Sequence, residues 1–346
     1  MRPLKDETAA PMIRMIGFCL TVWLASSVHA QAADEDLQPF ETDFFAFDPS
    51  LWYIADYVNG GGWIDTSWSR ENFVHEPGQV TLELNGKDDR GKNFTGGEFK
   101  TQRKFHYGTF EVRMKPSGET GALSSFFTYT GPFFDDPVSE IDFEFVGEDT
   151  TKVLLTYHTP DGSNGEFVDL GFDAAESFND YRFDWAPDSI TWYANGQLLR
   201  RVEQSDIGWP TAAGQIFMSI WTGSSKFTGI ADPEVTASAA YQMVRFTPRT
   251  APVAVDDEFN VIGSGVTPVY PLLNDYGYDR ELNASSVKIV DQGAGGEVKV
   301  DPETGEVTFE AAEGFSGTAT FKYTVGDGVE VSNAAQVSIN VIAVKQ

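Results

Sequence analysis

The run Ser139-Glu140-Ile141-Asp142-Phe143-Glu144-Phe145 alternates acidic and apolar residues without a break. A period of two is the signature of a β-strand with one face in a core and the other open to solvent, because successive side chains leave a strand on opposite sides. The same pattern fixes the register, since a slip of one residue would turn the three acids into the core. Beyond about residue 38 no sustained 3.6-residue periodicity appears. Short alternating runs separated by Gly, Asn, Asp and Pro take its place: Gln79 to Leu84, Gly108 to Met114, Val153 to Tyr157, Tyr181 to Trp185, Ile190 to Tyr193 and Gln215 to Trp221. Asn195-Gly196, following Thr191-Trp192-Tyr193, signals a two-residue hairpin turn. The expected fold class is all-β, a sandwich rich in aromatic side chains.

Three carboxylates on one strand face repel one another, and a strand selected for stability alone would not carry them. Such a row is useful where coupled carboxyl groups must hold different protonation states, the arrangement that glycoside hydrolysis uses. Positions i and i+4 of a strand lie about 13 Å apart at Cα. Side chains leaning together from that spacing can bring two Glu carboxyls to roughly 5–5.5 Å, the separation of a retaining mechanism. An acidic solvent face and an acidic metal site are the alternatives for the motif taken alone.

At 346 residues with 41% hydrophobic content, the chain can bury a full core and has room for two domains. The net charge of −28 argues against nucleic acid or an anionic membrane as partner. Arg14 precedes the apolar run Met15 to Ala25, too short to span a bilayer, and Val28-His29-Ala30 offers a cleavage site. Residues 1–30 are therefore expected to be a signal peptide and the protein to be secreted or periplasmic. The single Cys, Cys19, lies within that segment, so a mature chain has no thiol chemistry and no disulfide. All eight Trp residues precede position 250, where Thr247-Pro248-Arg249-Thr250-Ala251-Pro252 reads as a linker. The expected division is a catalytic domain at 38–249 and a smaller β-sandwich at 250–346.

From about Phe47 to Phe246 the chain resembles glycoside hydrolase family 16, and within it the bacterial endo-β-1,3-1,4-glucanases (lichenases). The resemblance rests on Phe47-Asp48-Pro49-Ser50-Leu51-Trp52, Tyr107 to Pro116, Ser124 to Pro132, Glu140 to Phe145, Asp149 to Val153 and Leu170-Gly171-Phe172-Asp173. It implies a curved β-jelly-roll sandwich of the concanavalin-like kind, with the cleft on the concave sheet and no cofactor needed for catalysis. It implies Glu140 as nucleophile, Glu144 as acid/base and Asp142 as the auxiliary carboxylate. The alternation finds this trio independently but does not apportion the two Glu roles. The resemblance further implies sugar contacts from Asp65, Glu98, Lys100, Tyr129, His158, Ser219 and Trp221, with Trp63 and Trp68 as weaker candidates. Flat aromatic rings suit sugar C–H faces.

The departures from the family pattern surround the cleavage point. Val138 and Ser139 replace Trp and Asp, His158 stands where Tyr is usual, Ser219 where Asn is usual, and Lys100 where Arg is usual. These changes leave the linkage open, and an exopolysaccharide such as succinoglycan is the alternative substrate; a transglycosylase is the alternative reaction. Gln242 occupies the position of a calcium-binding Asp in the last strand, and a neutral ligand weakens a hard-cation site. The C-terminal residues resemble bacterial cadherin-like, immunoglobulin-like repeats, through Ala254-Val255-Asp256-Asp257, Leu273-Asn274-Asp275, Gly314 to Thr318 and Phe321 to Gly328. That resemblance implies a spacer, or an appendage that touches polysaccharide or the cell surface. Asp256, Asp257, Asn274, Asp275 and Asp327 are its possible calcium ligands, with turn-capping as the alternative.

Overall fold

A computed structural model describes residues 38–343, except 59–61, 88–89, 205–207, 224–225, 264 and 278–279. The expected signal peptide at 1–30 falls outside the described residues. Two antiparallel-rich sheets make up the first domain. The larger has eleven strands and includes Gln79–Gly86, Gly108–Lys115, Asn179–Trp185, Ser189–Ala194 and Thr236–Pro248. The smaller has seven, in the spatial order Gly162–Asp169, Lys152–Thr159, Ser139–Val146, Leu123–Thr130, Gln215–Trp221, Glu98–Thr101 and Trp52–Ile54. The only helical elements among the described residues are three short 3-10 turns. This is the all-β sandwich that the sequence pattern predicts and the jelly roll that the resemblance implies.

The alternation seen in the sequence becomes the packing of the two sheets. Val80, Leu82 and Leu84, with Phe110, Val112 and Met114, turn inward from the large sheet and are wholly buried. Phe126, Ile141, Phe143, Phe145, Leu155, Ile216, Met218 and Ile220 meet them from the small sheet, forming one continuous core. Each such side chain contributes about 1.5–3 kcal/mol by leaving water. Asn195 and Gly196 both adopt positive φ, at 49° and 77°, as the hairpin signal requires.

Two polar tethers cross this apolar layer. The indole N–H of Trp192, on the large sheet, donates to the backbone carbonyl of Asp142 at 3.1 Å. The hydroxyl of Tyr241 is shared between the carbonyls of Ser125 at 3.0 Å and Ser219 at 3.3 Å. The strand that carries the acids and the next two strands on one side of it are thus hydrogen-bonded to the sheet behind.

The expected linker begins later than the sequence suggested. Thr247 and Pro248 remain in a strand, paired with Thr109 and Gly108. Proline is tolerated there because it is the last residue of the strand, where a ladder donor can be lost at little cost. The C-terminal region has its own core and seven strands, in a four-stranded and a three-stranded sheet. That matches the small sandwich expected of it. Its first strand, Asp257–Ile262, pairs in parallel with its last, Ala335–Ile342.

Trp192→Phe keeps the ring in the core but leaves the Asp142 carbonyl without its indole donor. We expect a loss of about 1–3 kcal/mol in urea unfolding, together with reduced activity in the surviving folded protein. Unaltered stability would show that the tether does not hold the strand.

Candidate active site

The small sheet turns alternate residues away from the core, and together they floor a cleft of about 1080 Å³. Strand register orders the floor in three rows. Glu140 pairs with His158 on one side and Tyr129 on the other, and Tyr129 with Gln215. Asp142 lies between Thr156 and Phe127, and the row continues through Phe217, Lys100 and Tyr53. Glu144 pairs with Ser125, then come Ser219 and Glu98. Acidic residues therefore line one side of the floor, with aromatic and small polar residues beside them.

The acid row is desolvated from below by Ile141, Phe143 and Phe145, all fully buried. Burial is the main force on the trio's protonation. It pushes Glu140 and Asp142 well above the ordinary carboxylate range and Glu144 up to about 7. Like charge adds to this: Asp142 raises Glu140 further, and Glu144 raises Asp142. His158 acts in the opposite direction on both Glu140 and Glu144. Three carboxyls so placed cannot all ionise near neutral pH, so at least one keeps a proton.

The roles implied by the resemblance need Glu140 ionised and Glu144 protonated. The hydrogen bond between the Glu140 and Asp142 side chains raises Glu140 and lowers Asp142, so in the free site it favours the shared proton on Glu140. Moving that proton to Asp142 would leave the charge on Glu140. Burial favours the proton on Glu144, and His158 opposes it.

The other expected contacts fall into distinct groups. Glu98, Lys100, Tyr129, Ser219 and Trp221 all line the cleft, as do Trp63 and Trp68. Trp63 is well exposed, with its ring edge-on to Trp221 at 5.3 Å, while Trp68 is buried. Glu98 is almost wholly buried and accepts a 3.0 Å hydrogen bond from the Tyr57 hydroxyl. Burial raises its carboxyl to about 7, opposed by that hydrogen bond and by Lys100. The Lys100 ammonium lies over the rings of Phe217, Phe134 and Tyr53, at 4.9, 5.0 and 5.8 Å. Ser219 Oγ lies 2.6 Å from Ser125 Oγ. Nε2 of His158 approaches Oδ2 of Asp142 to 3.3 Å at the edge of the trio. Asp65 is placed differently: its neighbour Ile64 lines the cleft, and its own carboxylate receives the backbone and side-chain N–H groups of Asn93 at 3.1 and 2.6 Å.

Sequence reasoning missed Tyr53, Tyr57, Phe127, Phe134, Gln215 and Phe217, which also line the cleft. Phe127 and Phe217 stack at 4.9 Å beside Asp142. Their positions alternate with core residues in recognised strands, so parity within each strand could have singled them out once strand neighbours were known.

The five expected calcium ligands of the C-terminal domain do not bring three carboxylate oxygens together among the described residues. Asp275 and Asp257 approach the Tyr323 hydroxyl, at 2.8 and 3.3 Å. The Asn274 side chain donates to the Asp256 carbonyl, and Asp256 accepts from the backbone of Gln336. Asp327 caps its own turn through the N–H groups of Val329 and Glu330 and faces Arg280 at 3.5 Å. Gln242, the neutral substitute in the other expected calcium position, falls at the register break between Tyr241 and Met243.

Comparison with known proteins agrees with this architecture. Residues 249–343 match the bacterial cadherin-like domain. A β-glucanase of Bacillus amyloliquefaciens is 41% identical over 211 residues, covering 60% of this chain and 83% of that protein. One from Brevibacillus brevis is 37% identical over 246 residues, covering 68% and 93%. Among solved structures, the Bacillus licheniformis β-glucanase superposes with a TM-score of 0.57 at 37% identity, covering 61% of this chain and 98% of its own. A lichenase derived from a mouse hindgut metagenome gives 0.58 at 36% identity, covering 61% and all of its own chain. Residues 61–239 match the model of glycosyl hydrolases family 16, more than half of the chain. With the acid row lying in the cleft of a jelly roll, the chain belongs to that family and is a glycoside hydrolase.

Proposed function

We propose that this protein is a secreted, retaining endo-β-glucanase that cuts mixed-linkage β-1,3-1,4-glucan through a covalent glycosyl-enzyme intermediate. The observation that carries the reading is the row Glu140, Asp142 and Glu144 on one strand face, desolvated beneath and open to the cleft above. The similar β-glucanases and lichenase support β-glucan as the substrate class. The Arg14-led apolar segment supports export.

In the first step the Glu140 carboxylate attacks the anomeric carbon while Glu144 gives its proton to the departing glycosidic oxygen. The bond from Glu140 to the sugar forms as the sugar–oxygen bond breaks. Glu144, now ionised, takes a proton from water, and that water displaces Glu140 from the sugar. For that attack the proton shared by Glu140 and Asp142 must sit on Asp142, leaving Glu140 charged. The aromatic rings across the cleft hold the flat faces of neighbouring sugars, and Glu98 with Tyr57 offers a polar clamp for hydroxyl groups.

Lys100 favours a second reading. Its ammonium reaches the cleft with no ion-pair partner among the described residues, a fit for a bacterial exopolysaccharide with acidic substituents such as succinoglycan. Mass analysis of products from lichenan, laminarin, xyloglucan and succinoglycan separates the two. Cleavage of succinoglycan but not of lichenan would replace the first reading with the second.

Glu144→Ala is expected to lower turnover of glucan by about 10²–10⁴-fold, with azide restoring turnover of an activated aryl β-glycoside and giving the β-glycosyl azide. Glu140→Ala with azide is expected to give the α-azide, because attack then comes directly on the opposite face. The reverse pairing of products would exchange the two roles.

Because Glu144 must carry a proton to act as acid, kcat/KM is expected to fall as pH rises through about 7, by about tenfold per unit. A flat profile to pH 9 in a full pH–rate series would remove Glu144 as the acid.

A further inference from the structure

We propose that Glu140, Asp142 and His158 form a binding site for a single transition-metal dication of the zinc or copper type, and that occupancy blocks the cleft. One ligand atom from each of the three residues lies within 4.8 Å of the other two. They are the only three such side chains grouped in this way among the described residues.

Asp142 supplies the second and independent observation. The residue is 3% exposed, and its Oδ2 is buried without any hydrogen-bond partner. A buried, unsatisfied carboxylate oxygen is costly, and it demands a donor or a cation. Its nearest basic neighbour is Nε2 of His158 at 3.3 Å, in a geometry that makes no hydrogen bond. Strand pairing fixes the group, for Glu140 sits directly opposite His158 in the ladder. Glu140 and Asp142 point from alternate positions of the same strand, so all three ligands approach from one side.

The donor set selects the ion. One imidazole nitrogen and two carboxylate oxygens suit zinc or copper, whereas magnesium and calcium take oxygen ligands alone. Zinc holds such ligands at about 2.0–2.2 Å, so small side-chain rotations close the present spacing. A dication also relieves the mutual repulsion of the acid row. Three protein ligands leave a fourth zinc position open toward the cleft. An ion seated there engages the expected nucleophile and stands where the sugar must enter.

The inhibitory part of this proposal rests on the glucanase reading, while the binding part does not. Calorimetric titration of the full chain with zinc chloride at pH 7.5 is expected to show one site. His158→Gln is expected to weaken it by about a hundredfold or more, beyond what outer-shell changes cost. Glu140→Gln should weaken binding as well, and it is read by calorimetry because activity is lost in that variant. His75→Gln, whose ring already bonds the Phe44 carbonyl at 2.8 Å, should leave binding unchanged. Calcium and magnesium should not compete. Hydrolysis of glucan should be inhibited competitively by zinc and recover with EDTA. The absence of zinc binding, or binding of equal strength in a folded His158→Gln variant, overturns the proposal. Binding that is lost in His158→Gln without inhibition in the wild type would keep the site and remove the catalytic reading of Glu140.

Discussion

The rest of the structure depends on keeping three carboxyl groups in a place where water cannot fully solvate them. Ile141, Phe143 and Phe145 anchor the strand in the core, and each anchor fixes the acid beside it in the opposite direction. The arrangement costs stability, since every one of the three carboxyls is harder to ionise than in water. The apolar layer beneath offsets that cost. Trp192 and Tyr241 then fix the height of the strands by bonding to backbone carbonyls across the sandwich. An acid row held only by its own sheet would be free to relax toward solvent and lose the shifts on which proton transfer depends.

The cleft is a consequence of sheet register more than of loops. Five central strands each contribute residues of one parity, and pairing aligns them into rows of defined chemistry. Protonatable groups sit in the strand Ser139–Val146, and the stacked Phe127 and Phe217 lie next to them. Glu98 and Lys100 come from a strand farther along the sheet, so a polysaccharide chain laid across the strands would meet acid, ring and polar clamp in turn. The charge of Lys100 is spread against three ring faces, which hold it in the cleft near the Glu98 carboxyl.

Local chemistry explains which contacts were legible beforehand. The hairpin at Asn195-Gly196 and the strands around Phe110 and Leu82 follow from period and turn residues alone. The length of the strand ending at Pro248 did not, because proline and threonine read as a break unless the pairing with Gly108 is known. The resemblance placed Asp65 among the sugar contacts, and folding pairs its carboxylate with Asn93, 28 positions away in sequence. The acids of the C-terminal domain were grouped by resemblance, and folding gives them partners in turn N–H groups, a tyrosine hydroxyl and an arginine.

By itself the sequence determined the fold class, the face on which the three acids emerge and the division into two β domains, because period-two alternation and turn residues act within a few positions. Tertiary structure alone decided the neighbours of those acids. His158 reached Asp142, Tyr57 reached Glu98 and Trp192 reached the carbonyl behind the site through strand pairing and sheet packing. Those contacts join residues far apart in the chain. Their distances, and the desolvation that shifts the carboxyls, arise only when the sheets close on one another.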